Sequence, residues 1–279
     1  MRGAWIYLRE RFPLALVALM SAAFAAASVG LFTPTTDTPG AHTWSSAILL
    51  FVIYLALLLR YRVTDEWKDF AHDSAVYPDR PVQRGVVSPR TLFVIGAGAF
   101  AVELLGVLLI GGALGFVLYL PVLAYSALTV FEFFSAPRLE RHFTLSFVLH
   151  EAIYLPLFLW VAVVLGAAPD WRTAAGVLAC TALFVSVELA RKFSPRFDTE
   201  GRVVLDTYSA VWGRGRTLGA MVVLVVLSGV LATTAGAGLA SPVIAVVAAA
   251  VALARPASDR WVTTVVAIHL PLQAAAMLS

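Results

Sequence analysis

Charge is what this chain has least of. Only 13% of its 279 residues are Asp, Glu, Lys or Arg, where a water-soluble globule carries about 25%. That shortage excludes an ordinary soluble fold, and length-based domain counts do not apply when the solvent is lipid. Cysteine is almost missing as well. The lone Cys180 lies in an apolar run (VLACTALFV), which excludes an intrachain disulfide and any CxxC or Cys/His metal spacing. It reads as a small buried hydrophobe. Apolar residues are abundant instead, at 60% of the chain, with a mean hydropathy of +0.86. A net charge of +3 and a pI near 9.2 would suit a nucleic-acid partner, but the basic residues track the flanks of the apolar runs. No nucleic acid is expected.

A bilayer core about 30 Å thick asks a spanning helix for about 20 apolar residues. Nine segments answer to that description: 12–32, 44–61, 91–111, 113–134, 143–166, 171–190, 217–235, 239–254 and 260–278. The third and fourth are separated by little more than Gly111 and Gly112, a tight helical hairpin, and the eighth is short. Placing the N-terminus inside puts nineteen of the twenty Lys and Arg in cytoplasmic loops, with only Arg172 outside. One helix more or fewer would scramble that alternation. The first thirty residues mimic a signal peptide, with small residues (SAAFAAAS) after an apolar run. That run is long for such a signal, so a retained first helix is expected.

Both large polar loops, 62–90 and 191–216, then fall on the cytoplasmic face, four helices apart. The expectation is a single domain, 1–279, built from degenerate halves 12–134 and 143–254, with the ninth helix at 260–278. Sites at the interface of internal repeats are common in membrane proteins.

One short stretch breaks the apolar pattern. TDEWKDFAHDSAVYPDRPVQRG (64–85) holds Asp65, Glu66, Asp69, Asp73 and Asp79, five of the seventeen acids. If the second helix continues through it, Asp65, Asp69 and Asp73 fall at i, i+4 and i+8, and Glu66 joins the same stripe. Like charges so placed repel one another, and a hard cation resolves the conflict. Mg²⁺ takes oxygen ligands, typically one or two carboxylates plus substrate phosphate oxygens. Downstream, Pro78, Pro81 and Gly85 fold the loop back and bring Arg80 and Arg84, whose guanidinium forks suit phosphate. Carboxylates and arginines together make a diphosphate site. The plainer alternative is a salt-bridged loop in which Arg62, Lys68 and Arg84 merely neutralise the acids.

DEWKDFAHD resembles the first aspartate-rich motif, NDxxDxxxD, of the UbiA superfamily of intramembrane prenyltransferases. In that register Asp65 takes the Asn position, and Glu66, Asp69 and Asp73 take the three Asp positions. YPDRPVQRGVVS resembles the family's following Arg-Pro segment, and DTYSAVWG (206–213) its lead into the seventh helix. The second motif departs from the family's DxxxD. Glu188 takes the first acidic position, while Lys192 stands where a second acid belongs.

The resemblance implies an all-α integral membrane protein: nine transmembrane helices, N-in and C-out, around a central cavity opening at the cytoplasmic face of the cell (inner) membrane. It implies two Mg²⁺ ions, bridged by the diphosphate and held by Asp65, Glu66, Asp69, Asp73 and Glu188. Lys68, Arg80, Arg84, Arg191 and Lys192 would contact the diphosphate. The partners implied are an isoprenyl diphosphate and membrane lipid. Ionisation would leave an allylic cation, with Tyr54, Tyr61, Phe131, Phe133, Phe134 and Tyr154 as candidate aromatic faces.

Ionisable residues inside apolar runs are costly and face a cavity or a partner. Here they are Glu103, Glu132 and the pair His150-Glu151. Glu132 lies within reach of water or Arg138. His150 and Glu151 suit a general base that takes a proton from an acceptor or a carbocation. Glu103 has no assignable role from sequence. Three activities follow. The cation is transferred to an aromatic or lipid acceptor, or its own double bonds attack it as in a UbiA-type terpene cyclase, or the protein is a non-catalytic lipid binder or transporter. The last is disfavoured because charge gathers on one face only. Prenyl length, acceptor and oligomeric state are not written in the sequence.

Overall fold

Long runs of Ala, Leu and Val satisfy their backbone polar groups in lipid by one local solution, the helix. The computed structural model describes residues 2–34, 41–255 and 257–278. Its helices are α1 (Arg2–Arg11), α2 (Leu14–Phe32), α3 (Ala41–Lys68), α4 (Phe70–Val76), α5 (Pro89–Val130), α6 (Ala136–Arg141) and α7 (Phe143–Glu151). They continue as α8 (Tyr154–Val164), α9 (Trp171–Arg191), α10 (Tyr208–Trp212), α11 (Arg214–Ala235), α12 (Ala240–Ala254) and α13 (Asp259–Leu278). A small antiparallel hairpin, β1 (Arg196–Phe197) with β2 (Val203–Val204), lies between α9 and α10. The start of α5 is written locally: Ser88 caps it by accepting from the Thr91 N–H, and Pro89 opens the first turn.

Among the described residues seven helices are long and apolar enough to cross a membrane, with α7 and α8 counted together as Phe143–Val164. The nine sequence segments differ from these at two places. One is α12, apolar but only 15 residues long. The other is α5, whose 42 residues would extend about 63 Å as a straight rod. It does not run straight, because Gly112 takes φ 60, ψ −159. Beyond it Tyr119 Oη donates to Glu103 Oε1 at 2.9 Å across sixteen residues, which a straight helix would hold about 24 Å apart. The chain doubles back there, and a residue with positive φ is needed to let it.

Helix α9 is largely enclosed, whereas most of α5 is not. Its Phe184 ring stacks on Phe24 of α2 at 3.9 Å and on Tyr154 of α8 at 4.1 Å. The outward faces are greasy, with Leu109, Leu114 and Val230 well exposed, as lipid contact requires. Close packing of α3 on α5 uses Gly106, where an added Cβ would meet the Ile53 side chain at 2.6 Å.

The structure also accounts for Glu103. It is fully buried, and Arg60 grips it with Nε to Oε2 at 2.7 Å and Nη2 to Oε1 at 3.0 Å. Arg60 thus turns into the bundle rather than toward water. Tyr61 Oη and Ser126 Oγ, 2.7 Å apart, extend the network. This ties α3 to both limbs of α5.

Candidate functional site

The last turns of α3 decide which of its acids face the interior. The helix stops at Lys68, and Asp69, with φ −93 and ψ 8, bends the backbone before α4 resumes. The ladder survives the bend: Asp69 N–H donates to the Asp65 carbonyl, and Asp73 N–H to the Asp69 carbonyl, each at 2.8 Å. Asp65 and Asp69, four apart, share one face, while Glu66 and Asp73, seven apart, share another. The expected single stripe of four carboxylates is therefore corrected to two pairs with different surroundings.

Arginines claim the second pair. Glu66 is 1% exposed, and its Oε1 accepts from Arg11 Nε at 2.7 Å and Arg62 Nη2 at 2.6 Å. Asp73, also buried, accepts from Arg80 Nη1 and lies 3.9 Å from Arg11 Nη2. Half of the acidic motif is thus the salt-bridged arrangement, since buried carboxylates persist only when paired. Arg80 and Arg84 belong with this pair and do not line the cavity described next. Arg80 reaches back to Asp73 and lies over the Tyr77 ring at 3.8 Å, and Arg84 pairs with Glu10 at 2.7 Å.

Asp65 and Asp69, by contrast, line a cavity of about 590 Å³. Lys68, Glu132, His150 and Glu151 face it too, and Glu188, Arg191 and Lys192 close the far wall. These charges gather at one end. Away from them the walls include Met20, Tyr154, Phe184 and Leu270, while Phe147 packs on Tyr208 beside Glu188. Of the aromatic candidates, Tyr61 and Tyr154 reach the cavity, Tyr54 is buried in the core, and Phe131 and Phe134 are exposed. Phe143, Phe147, Phe184 and Tyr208 line it without having been singled out, since their spacing does not differ from ordinary core.

On the far wall Glu188 accepts from Arg191 Nε at 2.6 Å and Nη2 at 2.7 Å, with Lys192 Nζ at 3.4 Å. Glu151 Oε2 is buried and has no hydrogen-bond partner. Arg196, which also lines the cavity, is held by Asp206 at 3.0 Å, and Tyr77 Oη donates to the same carboxylate at 2.7 Å. This joins the two polar loops. Sequence spacing had no means of finding Arg11, because its partners Glu66 and Asp73 are distant in the chain.

The partner of Glu132 is likewise corrected, from Arg138 to Lys68 and His150. Lys68 Nζ donates to Glu132 Oε1 at 2.7 Å, and His150 Nε2 lies 3.4 Å from Oε2. Glu132 sits in an unusual turn. Glu132, Phe133 and Phe134 have φ of 49, 51 and 54, a left-handed backbone that costs residues other than glycine about 1–2 kcal/mol each.

Electrostatics separates the carboxyls. Partial loss of water around Asp69 pushes its carboxyl up, and the charges of Asp65 and Asp73 add to this, against the pull of Lys68 and Lys192. Loss of water also disfavours ionised Glu132, but the nearby His150 and the hydrogen bond and charge of Lys68 outweigh it and hold the carboxyl down at about 2. A carboxyl lowered on folding contributes stability that is complete above its ordinary 4.5 and lost as pH falls toward about 2. The apparent Tm of the purified protein should therefore fall through that window more steeply than that of Glu132→Gln. Parallel Tm–pH curves would refute the assignment.

Among the described residues no three or more His, Cys, Asp or Glu stand together as a ready-made metal cage. The donor set nevertheless fits magnesium, which uses one or two carboxylates and leaves the remaining positions to phosphate and water. Asp65 and Asp69 are such a pair, with a raised carboxyl that a cation would relieve.

Fold and cavity together define an integral, multi-pass membrane protein with a charged site at one end of an apolar chamber. No family model and no curated protein matches the sequence. Two solved structures share its fold. A UbiA homolog from Aeropyrum pernix K1 aligns over 94% of this chain and 94% of its own, with TM-score 0.57 and 18% identity. A digeranylgeranylglyceryl phosphate synthase aligns over 100% of this chain and 98% of its own, with TM-score 0.55 and 14% identity. What these two structures share with the chain is the fold.

Proposed function

We propose that the protein is a magnesium-dependent intramembrane prenyltransferase that ionises an isoprenyl diphosphate, releases pyrophosphate and transfers the prenyl cation to an aromatic or lipid acceptor. The observation that carries this reading is one cavity joining an apolar, aromatic wall to an end lined by Asp65, Asp69, Lys68, Arg191 and Lys192. A prenyl diphosphate has the same division: a tail that prefers the bilayer and a head that needs cations. In this reading the chain crosses the membrane nine times, N-in and C-out, with the α5 turn and α12 completing the count. The charged end then faces the cytoplasm.

Asp65 and Asp69 would hold the magnesium, with Glu188 facing them from the far wall. Bound there, magnesium supplies positive charge that makes pyrophosphate a better leaving group. Lys68, Arg191, Lys192 and Arg196 bind the diphosphate oxygens and fix the C–O bond at the mouth of the apolar chamber. As that bond breaks, the electron pair leaves with the pyrophosphate, and the allylic carbon becomes cationic. The faces of Tyr154, Phe147 and Phe184 attract it, each by about 0.5–2 kcal/mol, and the apolar walls exclude water. Glu151 Oε2, buried and without a donor, accepts the proton lost when the acceptor forms its new bond.

The test is product analysis of the purified protein in detergent, with Mg²⁺ and geranyl, farnesyl or geranylgeranyl diphosphate. Pyrophosphate release that requires an added aromatic or lipid acceptor is expected. A cyclic hydrocarbon or terpene alcohol formed without acceptor would identify a cyclase instead. No pyrophosphate release under either condition would refute the enzymatic reading.

A further inference from the structure

The carboxylate of Glu132 has the position and partners of a bound anion. It lies in the cavity between Lys68 Nζ, at 2.7 Å, and His150 Nε2, at 3.4 Å, and so joins the end of α3 to α7. The imidazole is fixed for this contact: its Nδ1 lies 2.8 Å from the Ser146 carbonyl, and the Phe133 ring meets it edge-on at 5.8 Å.

The backbone that presents Glu132 is strained. Left-handed φ occurs routinely at single glycines, not at a run of Glu, Phe and Phe. Such conformations persist only where their surroundings hold them. Packing holds only the middle of the turn, where Phe133 meets Tyr125 edge-on at 5.6 Å; Phe131 and Phe134 are 59% and 79% exposed and stack on each other at 5.6 Å. The contacts of Lys68 and His150 with the carboxylate help to hold the turn. The far wall offers a contrast. There Glu188 holds Arg191 and Lys192 from within a regular helix, at i+3 and i+4, with no strained backbone to release.

We propose that Glu132 is a built-in substitute for one phosphate group of the substrate. It occupies the Lys68–His150 subsite while the site is empty. The incoming diphosphate displaces it, and the left-handed turn at residues 132–134 relaxes as it leaves. The proposal rests on the diphosphate reading of the cavity. It assigns His150 to anion binding and makes Glu132 a residue that sets affinity by competition. Strain released on displacement adds to the affinity for the incoming anion.

Binding of inorganic pyrophosphate with Mg²⁺, measured by titration calorimetry on the full chain in detergent, tests both levels. Glu132→Gln removes the competing charge and should tighten binding by about fivefold. Phe134→Gly relieves the strain of the empty site, so pyrophosphate gains less by displacing Glu132. It should bind about fivefold more weakly than Phe134→Ala, which removes the same ring but keeps the left-handed cost. Phe134 lies on the surface, so this pair keeps the test decisive if Glu132→Gln fails to fold. Unchanged or weaker binding by Glu132→Gln overturns displacement. Equal constants for the two Phe134 variants overturn the role of the strained turn. No binding by the unsubstituted protein overturns the diphosphate reading itself.

Discussion

Asp69→Asn should lower magnesium-dependent pyrophosphate release by about 10²–10³-fold, the usual loss when a preorganised electrostatic group is removed from a charge-separating step. Asn keeps the shape of Asp and can still accept a hydrogen bond, so the substitution isolates charge. Asp69 stands where the backbone bends between α3 and α4, beside Asp65, with both carboxylates on the cavity. Without Asp69 a cation at this wall has Asp65 alone. Stability should move the other way. The Asp69 carboxyl is pushed up by loss of water and by Asp65 and Asp73, so its ionised form at neutral pH disfavours the folded state. A neutral Asn removes that penalty, and the magnesium-free variant should melt no lower than the parent protein. Released pyrophosphate and the apparent Tm, measured on the same preparation, give both answers. Activity within threefold of the parent would remove Asp69 from the site. Lost activity with a depressed Tm would make it a structural residue.

Glu103→Ala should cost about 3–5 kcal/mol of stability, because it leaves one member of a buried ion pair without its counter-charge. The Glu103 side chain is fully enclosed and that of Arg60 is 13% exposed, so the guanidinium cannot simply turn into water. Tyr119 Oη loses its acceptor as well. The pair joins α3 to both sides of the turn at Gly112, so the loss is felt where α5 folds back on itself. An apparent Tm lower by roughly 5–15 °C in detergent is expected, and Arg60→Met combined with Glu103→Leu should recover most of it, since apolar replacements of similar volume tolerate such sites. A Tm within a degree or two of the parent would show that the network contributes little.

How much of this was legible in the chain differs from residue to residue. The apolar runs were plain, because a spanning helix needs a set length of apolar sequence whatever it packs against. The hairpin at Gly111 and Gly112 was visible for a similar local reason. Of the residues that the acidic stretch and the second motif singled out, Asp65, Lys68, Asp69, Glu188, Arg191 and Lys192 line one cavity. The division of that stretch was not visible. Helical spacing says which residues share a face, and the bend at Asp69 with the arrival of Arg11 from α1 sets which face is buried. The partners of Glu103 and Glu132 were hidden for the same cause. Arg60 is 43 residues from Glu103, and Lys68 is 64 from Glu132.

By itself, then, the sequence determined a helical membrane protein with its acids clustered in one short stretch, because hydropathy and helical period are local properties that no partner can change. The tertiary structure alone decided which carboxylates meet the cavity, which are neutralised by arginine, and which one holds the Lys68–His150 subsite. Those outcomes depend on contacts between distant segments. A buried charge takes the nearest counter-charge that three-dimensional packing supplies.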